Sequence, residues 1–496
     1  MADPVVETKS GKVRGFVRGE VAIWRGIPYA APPVGPLRFR PPEPPVAWAG
    51  ERDATEFGDV AIQSRDPRTL TISGIPQKAV ASEDCLVLNV FAPAERGDGK
   101  LPVMVWIHGG AFIMGAGSIA LYDGGSFAKQ GIVVVTINYR LGLPGFLYLG
   151  DLLPGRAQGN YGLLDQIAAL RWVRDNIAAF GGDPGSVTLM GESAGAISIG
   201  TLLGMPAARG LFHRAILQSG APELNPPSRD DAARVARMVL AELGASAEQL
   251  AELLAELPID RVLAAQERHT AAHGLGGVSP CIDGATVPVP PIEAIRAGSA
   301  DGVPLLLGSN RDEWTLFEVF LGEASVEAFK EPLRRRYGAA LDPLVEAYRD
   351  RRPDRSLRRA WVDLVGDLAF GIPVIRLADA QAARAPVYAY RFDWESTGVG
   401  GRLGATHALE LPFVWNRLDV PMAPALLGDS IAGAQALATT LHLSWAAFIK
   451  TGDPNGAGLP AWPRYNLERR PTLLLDREPR VAEDPAGKVR ALWPVA

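Results

Sequence analysis

Cysteine is nearly absent from this chain of 496 residues: only Cys85 and Cys281 occur, and they form no C-x-x-C pair. That excludes cysteine-ligated zinc and iron–sulfur centres and a fold stapled by many disulfides. Histidine is scarce too. His108, His213, His269, His273, His407 and His442 are the whole set, with no H-E-x-x-H pair, so acid–base work by an imidazole has six candidates. Lysine is rare, at 8 residues against 42 arginines, and charges of both signs are interspersed to a net −5. No basic stripe exists, so neither nucleic acid nor an anionic membrane is an expected partner. No run of about 18 apolar residues occurs, so no membrane-spanning helix is expected. The first residues show no basic stretch followed by an apolar one, so a signal peptide is not expected and a cytoplasmic location is.

What the chain does have is material for a large core. Hydrophobic residues make up 47% and charged residues 21%, an ordinary globular balance. The 54 Gly and 41 Pro punctuate folded structure; together they stay below the roughly 25–30% of low-complexity chains. The length alone suggests about three domains of ~150 residues. Yet no repeat of 20–50 residues and no long polar linker divides the sequence. A single domain over residues 1–496 is therefore expected, with strands and a proline-rich segment in 1–50 and mainly helical insertions at 221–300 and 321–385.

Alternation near the start predicts small antiparallel strands within residues 4–6, 12–18 and 20–25. Residues 28–45, dense in proline, should run extended over the surface. Residues 86–91 read as a strand. Residues 103–107 and 132–137 are continuous apolar runs, which suit strands buried on both faces of a parallel sheet with helices either side. Residues 163–179 show helical spacing, 187–190 another buried strand, and 194–203 a helix. Strands are expected again at 215–217, 303–308 and 387–392. Residues 230–268 and 325–383 read as helical, with Asp230 as an N-cap. The pattern implies an α/β protein with a large, mostly parallel twisted sheet flanked by helices.

Gly191-Glu-Ser193-Ala-Gly195 is the one G-x-S-x-G match. With 20 Ser and 54 Gly, chance placement gives roughly 0.24 such matches, so its flanks must decide. A buried strand precedes it and an Ala/Ile/Leu-rich helix follows. The glycines permit a sharp turn and close strand–helix packing, which would hold Ser193 out at the sheet's C-terminal edge as the nucleophile elbow of an α/β-hydrolase. Serine attack on an ester carbonyl generates an oxyanion that needs preorganised donors. His108-Gly109-Gly110-Ala111-Phe112 follows a buried strand and offers side-chain-free N–H groups. Gly109, Gly110 and Ala194 would supply three of them.

Serine needs a base. In this fold the order is nucleophile, acid, histidine, so His213, His269, His273, His407 and His442 qualify. His213 enters a strand and reads as structural. His269 and His273 flank a glycine-rich stretch, and His442 sits in a helical segment. His407 lies in a loop after the 387–392 strand, where the fold places its histidine. The acid should follow an earlier strand, and Arg311-Asp312-Glu313 follows residues 304–310. By pattern, Asp312 and Glu313 stand equal.

The sequence resembles the type B carboxylesterase family, in particular its bacterial para-nitrobenzyl-esterase-like branch, almost end to end. Trp24-Arg-Gly-Ile-Pro-Tyr29 and Ser82-Glu-Asp-Cys-Leu-Val-Leu-Asn-Val90 are similar to the family's N-terminal signatures. Asn138-Tyr-Arg-Leu-Gly142, Gly159-Asn-Tyr-Gly-Leu-Leu-Asp165, Phe180-Gly-Gly-Asp-Pro184 and Gln218-Ser-Gly220 resemble internal motifs, and Thr451-Gly-Asp-Pro-Asn455 a C-terminal one. The resemblance implies an α/β-hydrolase fold and a triad of Ser193, Glu313 and His407. It also implies a supporting hydrogen bond from Ser219 near the acid, and an acidic neighbour, Glu192, of open role. A carboxylesterase of short to medium acyl or aromatic esters follows, with carbamates, lactones or bulky esters as alternative substrates. No metal or cofactor is needed, the partner is a small-molecule ester, and the chain would act as a monomer or small homo-oligomer. The helical insertions would then form lid subregions over the active site.

Three departures from the family stand out. Cys85 matches a family cysteine whose usual partner is missing near residues 61–63, so a free thiol is expected. No Trp stands between Gln63 and Cys85, so cation–π recognition of choline is unsupported. Trp314 replaces a common glycine, with packing as its expected role. Phe112, Met114, Trp314, Phe317 and Phe320 are the candidate pocket residues, and each has ordinary core packing as its alternative. A non-catalytic binding module on the same fold is the competing class; it typically lacks the serine or the oxyanion glycines, and both are present here.

Overall fold

The computed structural model describes residues 3–64, 79–95, 97, 99–153, 158–223, 226–244, 256–273, 278–351 and 354–493. The chain divides into two compact units. Residues 1–216 with 225–300 form the first, and 217–224 with 301–496 the second.

In the first unit the sheet strands are β1 (Phe16–Arg18), β2 (Val21–Pro28), β3 (Val87–Pro93), β4 (Leu101–Ile107), β5 (Val133–Ile137) and β6 (Gly182–Glu192). Strand β4 runs parallel to both its neighbours, β5 (Val133 opposite Val103) and β6 (Gly191 opposite Ile107). Residues 103–107 and all of β5 are buried, as continuous apolar runs covered on both faces must be. Antiparallel pairing carries the sheet outward from β5 to β3, then to β2 and β1. Helix α1 (Tyr161–Asn176) starts from Asn160 in a left-handed conformation and ends in a 3-10 turn, Ile177–Phe180. Helix α2 (Ala194–Gly204) follows β6 directly and is almost wholly buried.

Strand β7 (Arg214–Gln218) carries the chain from the first unit into the second. There β8 (Leu305–Asn310) pairs parallel with β9 (Val387–Phe392), β9 parallel with β10 (Pro471–Leu475), and β10 antiparallel with β11 (Arg480–Glu483). The last two strands are short and flanked by charge, and they are absent from the sequence reading. The 325–383 region is helical as read. It includes α3 (Leu357–Gly366) and α4 (Ile372–Gln381), which contribute to a core around Trp314, Tyr348, Trp361 and Phe370.

Local chemistry corrects two boundaries. The expected N-cap Asp230 lies inside the helix. The cap is Ser228, whose hydroxyl accepts the Asp231 N–H while Asp231 reaches back, a capping box that starts the helix at Arg229. The proline-rich segment at 28–45 is interrupted by a 3-10 turn at Gly35–Leu37. Cys85 and Cys281 are both free and buried. Among the described residues, no helix is long and apolar enough to cross a membrane.

Candidate active site

The first unit holds Ser193 at a sharp strand–helix turn beside a glycine-bearing loop. Strand β6 ends at Glu192 and α2 begins at Ala194, so Ser193 must turn the chain within one residue. It does so at φ 55°, ψ −125°, a conformation disfavoured for a residue bearing a Cβ. Its carbonyl accepts the Ile197 N–H at 2.8 Å. The flanking glycines are demanded by proximity. A Cβ on Gly195 would stand 2.0 Å from the Ile107 carbonyl oxygen, and one on Gly191 would stand 2.8 Å from the same atom.

Residues 108–115 return from the end of β4 past this elbow. A Cβ on Gly109 would meet the Glu192 carbonyl at 2.7 Å and the Ser193 Cβ at 3.0 Å, so only glycine brings its backbone this close to the serine. Gly110 has φ 112°, and Ala111 and Phe112 follow in left-handed conformations. Among the described residues no backbone carbonyl accepts the N–H groups of Gly109, Gly110 or Ala194. The α2 N-terminus adds its dipole beside them.

This loop is braced from behind. Gln63 donates to the Gly115 carbonyl at 3.0 Å and accepts its N–H at 2.8 Å. The Tyr139 hydroxyl donates to the His108 carbonyl at 2.8 Å, and its ring stacks on His108 with centroids 4.5 Å apart. His108 Nδ1 lies 2.8 Å from the Gly109 carbonyl. A carbonyl only accepts, so Nδ1 carries the proton. Burial pulls this imidazole down to about 4, against the opposing effect of that hydrogen bond, so His108 is neutral at neutral pH. Burial, and then the Glu192 charge, push the Tyr139 hydroxyl well above its usual range. Phe112 is buried and packs edge-on against Phe146 at 4.9 Å, and Met114 is half-buried.

The second unit sets a buried carboxylate against an imidazole. Beyond β8, Glu313 is buried; its Oε1 accepts the Asn310 N–H at 2.6 Å and its Oε2 lies 2.6 Å from His407 Nδ1. The neighbouring Asp312 is otherwise engaged. Its Oδ1 accepts from Arg359 at 2.6 Å, and its Oδ2 from Arg311 at 2.8 Å and from the Ala405 N–H at 2.9 Å. Two acids that the sequence pattern left equal thus have separate partners. The Thr315 hydroxyl lies 2.5 Å from the Leu403 carbonyl and 2.8 Å from the Thr406 hydroxyl, fastening the acid's loop to the histidine's.

The sequence reading missed three contributors. Glu410 is buried; it accepts from Asn310 Nδ2 at 2.7 Å and from Gln218 Nε2 at 3.1 Å. Burial, and then the Glu313 charge, push its carboxyl up to about 7. The His407-x-x-Glu410 spacing was the available signal. Asn310 donates to both carboxylates. Phe370 lies flat against the His407 ring, with centroids 4.4 Å apart and planes 29° apart.

Other expected residues sit differently. The Ser219 hydroxyl, expected to support the acid, has no hydrogen-bond partner among the described residues. The Ser219 N–H is committed to the Gly308 carbonyl. Trp314 packs in the core against Phe317, Phe329 and Phe370. Phe317 stands 5.3 Å from His407. Phe320, in the last turn of the helix Thr315–Leu321, is exposed. His442 is buried with Nδ1 on the Val414 carbonyl, and His213 Nδ1 accepts the Val187 N–H; both serve as structural histidines. His269 is buried within the helix Ile259–His273, and the His273 side chain lies outside the described residues.

The carboxylesterase family model matches residues 2–493. The para-nitrobenzyl esterase of Bacillus subtilis is 43% identical, covering 99% of this chain and 98% of its own length. The phenmedipham hydrolase of Pseudarthrobacter oxydans is 36% identical over 97% of each chain. Among solved structures, a PNB esterase superposes with a TM-score of 0.89 at 42% identity over 100% of both chains. A carboxylesterase of Geobacillus stearothermophilus superposes with a TM-score of 0.88 at 42% identity, covering 99% of this chain and 100% of that one.

Proposed function

The chain belongs to the carboxylesterase family, an α/β-hydrolase that cleaves carboxylic esters through a serine, and on that premise we propose that Ser193, His407 and Glu313 are its catalytic triad. Glu313 fixes the imidazole with the proton on Nδ1, leaving Nε2 as the base. Nε2 takes the Ser193 Oγ proton as Oγ bonds to the ester carbonyl carbon. The carbonyl electrons move onto oxygen, and the N–H groups of Gly109, Gly110 and Ala194 stabilise that oxyanion. Its collapse breaks the bond to the alcohol oxygen, which leaves with the proton from His407. Water then repeats the sequence on the acyl-serine: His407 takes its proton, the hydroxyl adds to the acyl carbon, and Ser193 departs reprotonated as the carboxylic acid is released.

The observation that carries this reading is the buried 2.6 Å contact between Glu313 and His407 Nδ1. Small-molecule esters of short to medium acyl or aromatic acids are the proposed substrates, and the free, buried cysteines suit a reducing, cytoplasmic setting. The test is p-nitrophenyl acetate and butyrate hydrolysis by the wild type, Ser193→Ala and His407→Ala, with organophosphate labelling read by mass spectrometry. Loss of turnover in both variants and a label on Ser193 are expected. Retained turnover in either variant, or a label elsewhere, overturns the assignment.

A further inference from the structure

One helical run changes its winding where it passes the imidazole. Helix α3 continues into α4 through Asp367–Gly371, which is wound as a π turn: the Ile372 N–H donates to the Asp367 carbonyl five residues back. Pro373 supplies a local cause. It brings no N–H, and its ring crowds the carbonyl of Ala369 four residues earlier; a widened turn relieves that crowding.

The turn is held from two sides. The Asp367 carboxylate accepts the Tyr348 hydroxyl at 2.6 Å and Arg351 at 3.1 Å. A Cβ on Gly371 would stand 2.4 Å from that same carboxylate, so glycine is what lets it fold back. Gly366 sets the approach to the acid: a Cβ there would lie 3.2 Å from the Trp314 nitrogen and 3.3 Å from the Glu313 Cβ. The end of α3, one residue before the widened turn, lies hard against Glu313.

Its product is the placement of Phe370. That ring covers the imidazole at 4.4 Å, Phe317 stands 5.3 Å from the same imidazole, and the two phenyl rings are 6.3 Å apart with planes 14° apart. Trp314 packs against both. A phenyl face carries negative charge density. It therefore attracts a ring that becomes positive on taking a proton. Among the described residues, the titratable groups facing His407 include Glu313, through Nδ1, and Glu410, whose carboxyl burial raises to about 7. When ionised, both carboxyls favour the imidazolium as well.

We propose that Phe370, delivered by the π turn, is a positioning residue for ester hydrolysis: it holds the His407 imidazole in the plane set by Glu313 and stabilises the imidazolium formed in the transition state. This rests on the reading of His407 as the base.

The test uses the full chain with Phe370→Leu, which keeps apolar bulk and loses the π face, and Phe370→Tyr, which keeps the ring. Phe370→Met is the second aliphatic variant should Phe370→Leu fail to fold. Three quantities are read: kcat and KM for p-nitrophenyl butyrate, the acid limb of kcat/KM, and the His407 titration by NMR of histidine-labelled protein in a Ser193→Ala background. The aliphatic variant is expected to lose roughly threefold to thirtyfold in kcat with KM within about twofold. Its acid limb and its His407 titration should both move to lower pH by about half a unit, and the tyrosine variant should stay near wild type in all three. An aliphatic variant with the wild-type acid limb and titration, or one altered only in KM, overturns the proposal and leaves Phe370 as packing. The NMR titration needs no turnover, so it separates this outcome from failure of the base assignment, which His407→Ala with retained activity would reveal.

Discussion

Asp312 and Ala405 are buckled together by two hydrogen bonds. The Asp312 N–H donates to the Ala405 carbonyl at 2.9 Å, and the Ala405 N–H donates to Asp312 Oδ2 at 2.9 Å. The residue before Glu313 thus holds the loop that carries His407, and a Cβ on Gly404 would strike the same carboxylate at 2.6 Å. Asp312 and Glu313 are adjacent acids with opposite assignments: one fastens backbone, the other faces an imidazole.

Substitution separates the two. Glu313→Gln keeps shape but presents an amide to His407 Nδ1, which disturbs the tautomer the base needs; kcat for p-nitrophenyl butyrate is expected to fall about 10³–10⁴-fold with little change in melting temperature. Asp312→Asn weakens its pairing with Arg311 and Arg359 and the bond to Ala405. Breaking a buried pair costs about 3–5 kcal/mol, and both arginines are about one-quarter exposed, so the lower end is expected, as a lowered melting temperature with kcat within about tenfold. Equal losses of kcat in the two variants would show that the adjacent acids share one role.

The two glycine positions beside the nucleophile should fail in different ways. Gly195→Ala drives a Cβ to 2.0 Å from the fixed Ile107 carbonyl, and the strand–helix contact has to open; a cost of about 3 kcal/mol or more is expected, seen as poor soluble yield and a depressed melting curve. Gly109→Ala meets the Glu192 carbonyl and the Ser193 Cβ at 2.7 and 3.0 Å, against 2.0 Å for Gly195, so a smaller displacement relieves it. The shift displaces N–H donors, so kcat should drop about 10²–10³-fold in a protein that still folds. A Gly109→Ala variant with wild-type kcat would remove this loop from the reaction.

Thiol reagents should leave the enzyme untouched. Burial, and then the Asp165 charge, push the Cys85 thiol far above its usual range, and burial followed by Asp283 pushes Cys281 up to about 12. Neither forms appreciable thiolate at neutral pH, and the thiolate is the reactive species. Native protein treated with 5,5′-dithiobis(2-nitrobenzoic acid) is expected to release no chromophore and keep full activity, and two equivalents should appear on denaturation. Rapid release from native protein would contradict this burial.

Continuous apolar runs betrayed the central strands because a strand covered on both faces has no polar side to show. The sharp strand–helix turn at Ser193 was legible because Gly191 and Gly195 are forced by contacts with the Ile107 backbone a fixed distance along the chain. The acid was not legible from pattern alone. What distinguishes Asp312 from Glu313 is Arg359, 47 residues from Asp312, and no local spacing encodes that. Phe370 was missed for a similar reason: its ring reaches His407 only through the π turn, whose one local sign is Pro373. Phe320, read as a pocket candidate with core packing as its alternative, lies in the exposed last turn of its helix. The Ser228 cap was readable, since Ser228-x-x-Asp231 is a capping-box spacing.

Glu410 ties the stability of the second unit to pH. A free glutamate titrates near 4.3, whereas in the fold burial and then the Glu313 charge raise Glu410 to about 7. Between those values the folded state binds a proton that the unfolded chain has released, so this residue's contribution to stability declines as pH rises from about 4.5, and it levels off once pH passes about 7. The whole penalty is of the order of 3 kcal/mol. Glu410→Gln has no charge to desolvate; its carbonyl can still accept from Asn310, and its amide can meet a turned Gln218 side chain. Melting curves of the two proteins between pH 5 and pH 8 are therefore expected to diverge, with the variant the more stable at pH 8 and the gap closing toward pH 5. Parallel melting temperatures across that range would mean that Glu410 sits in the fold with an ordinary carboxyl.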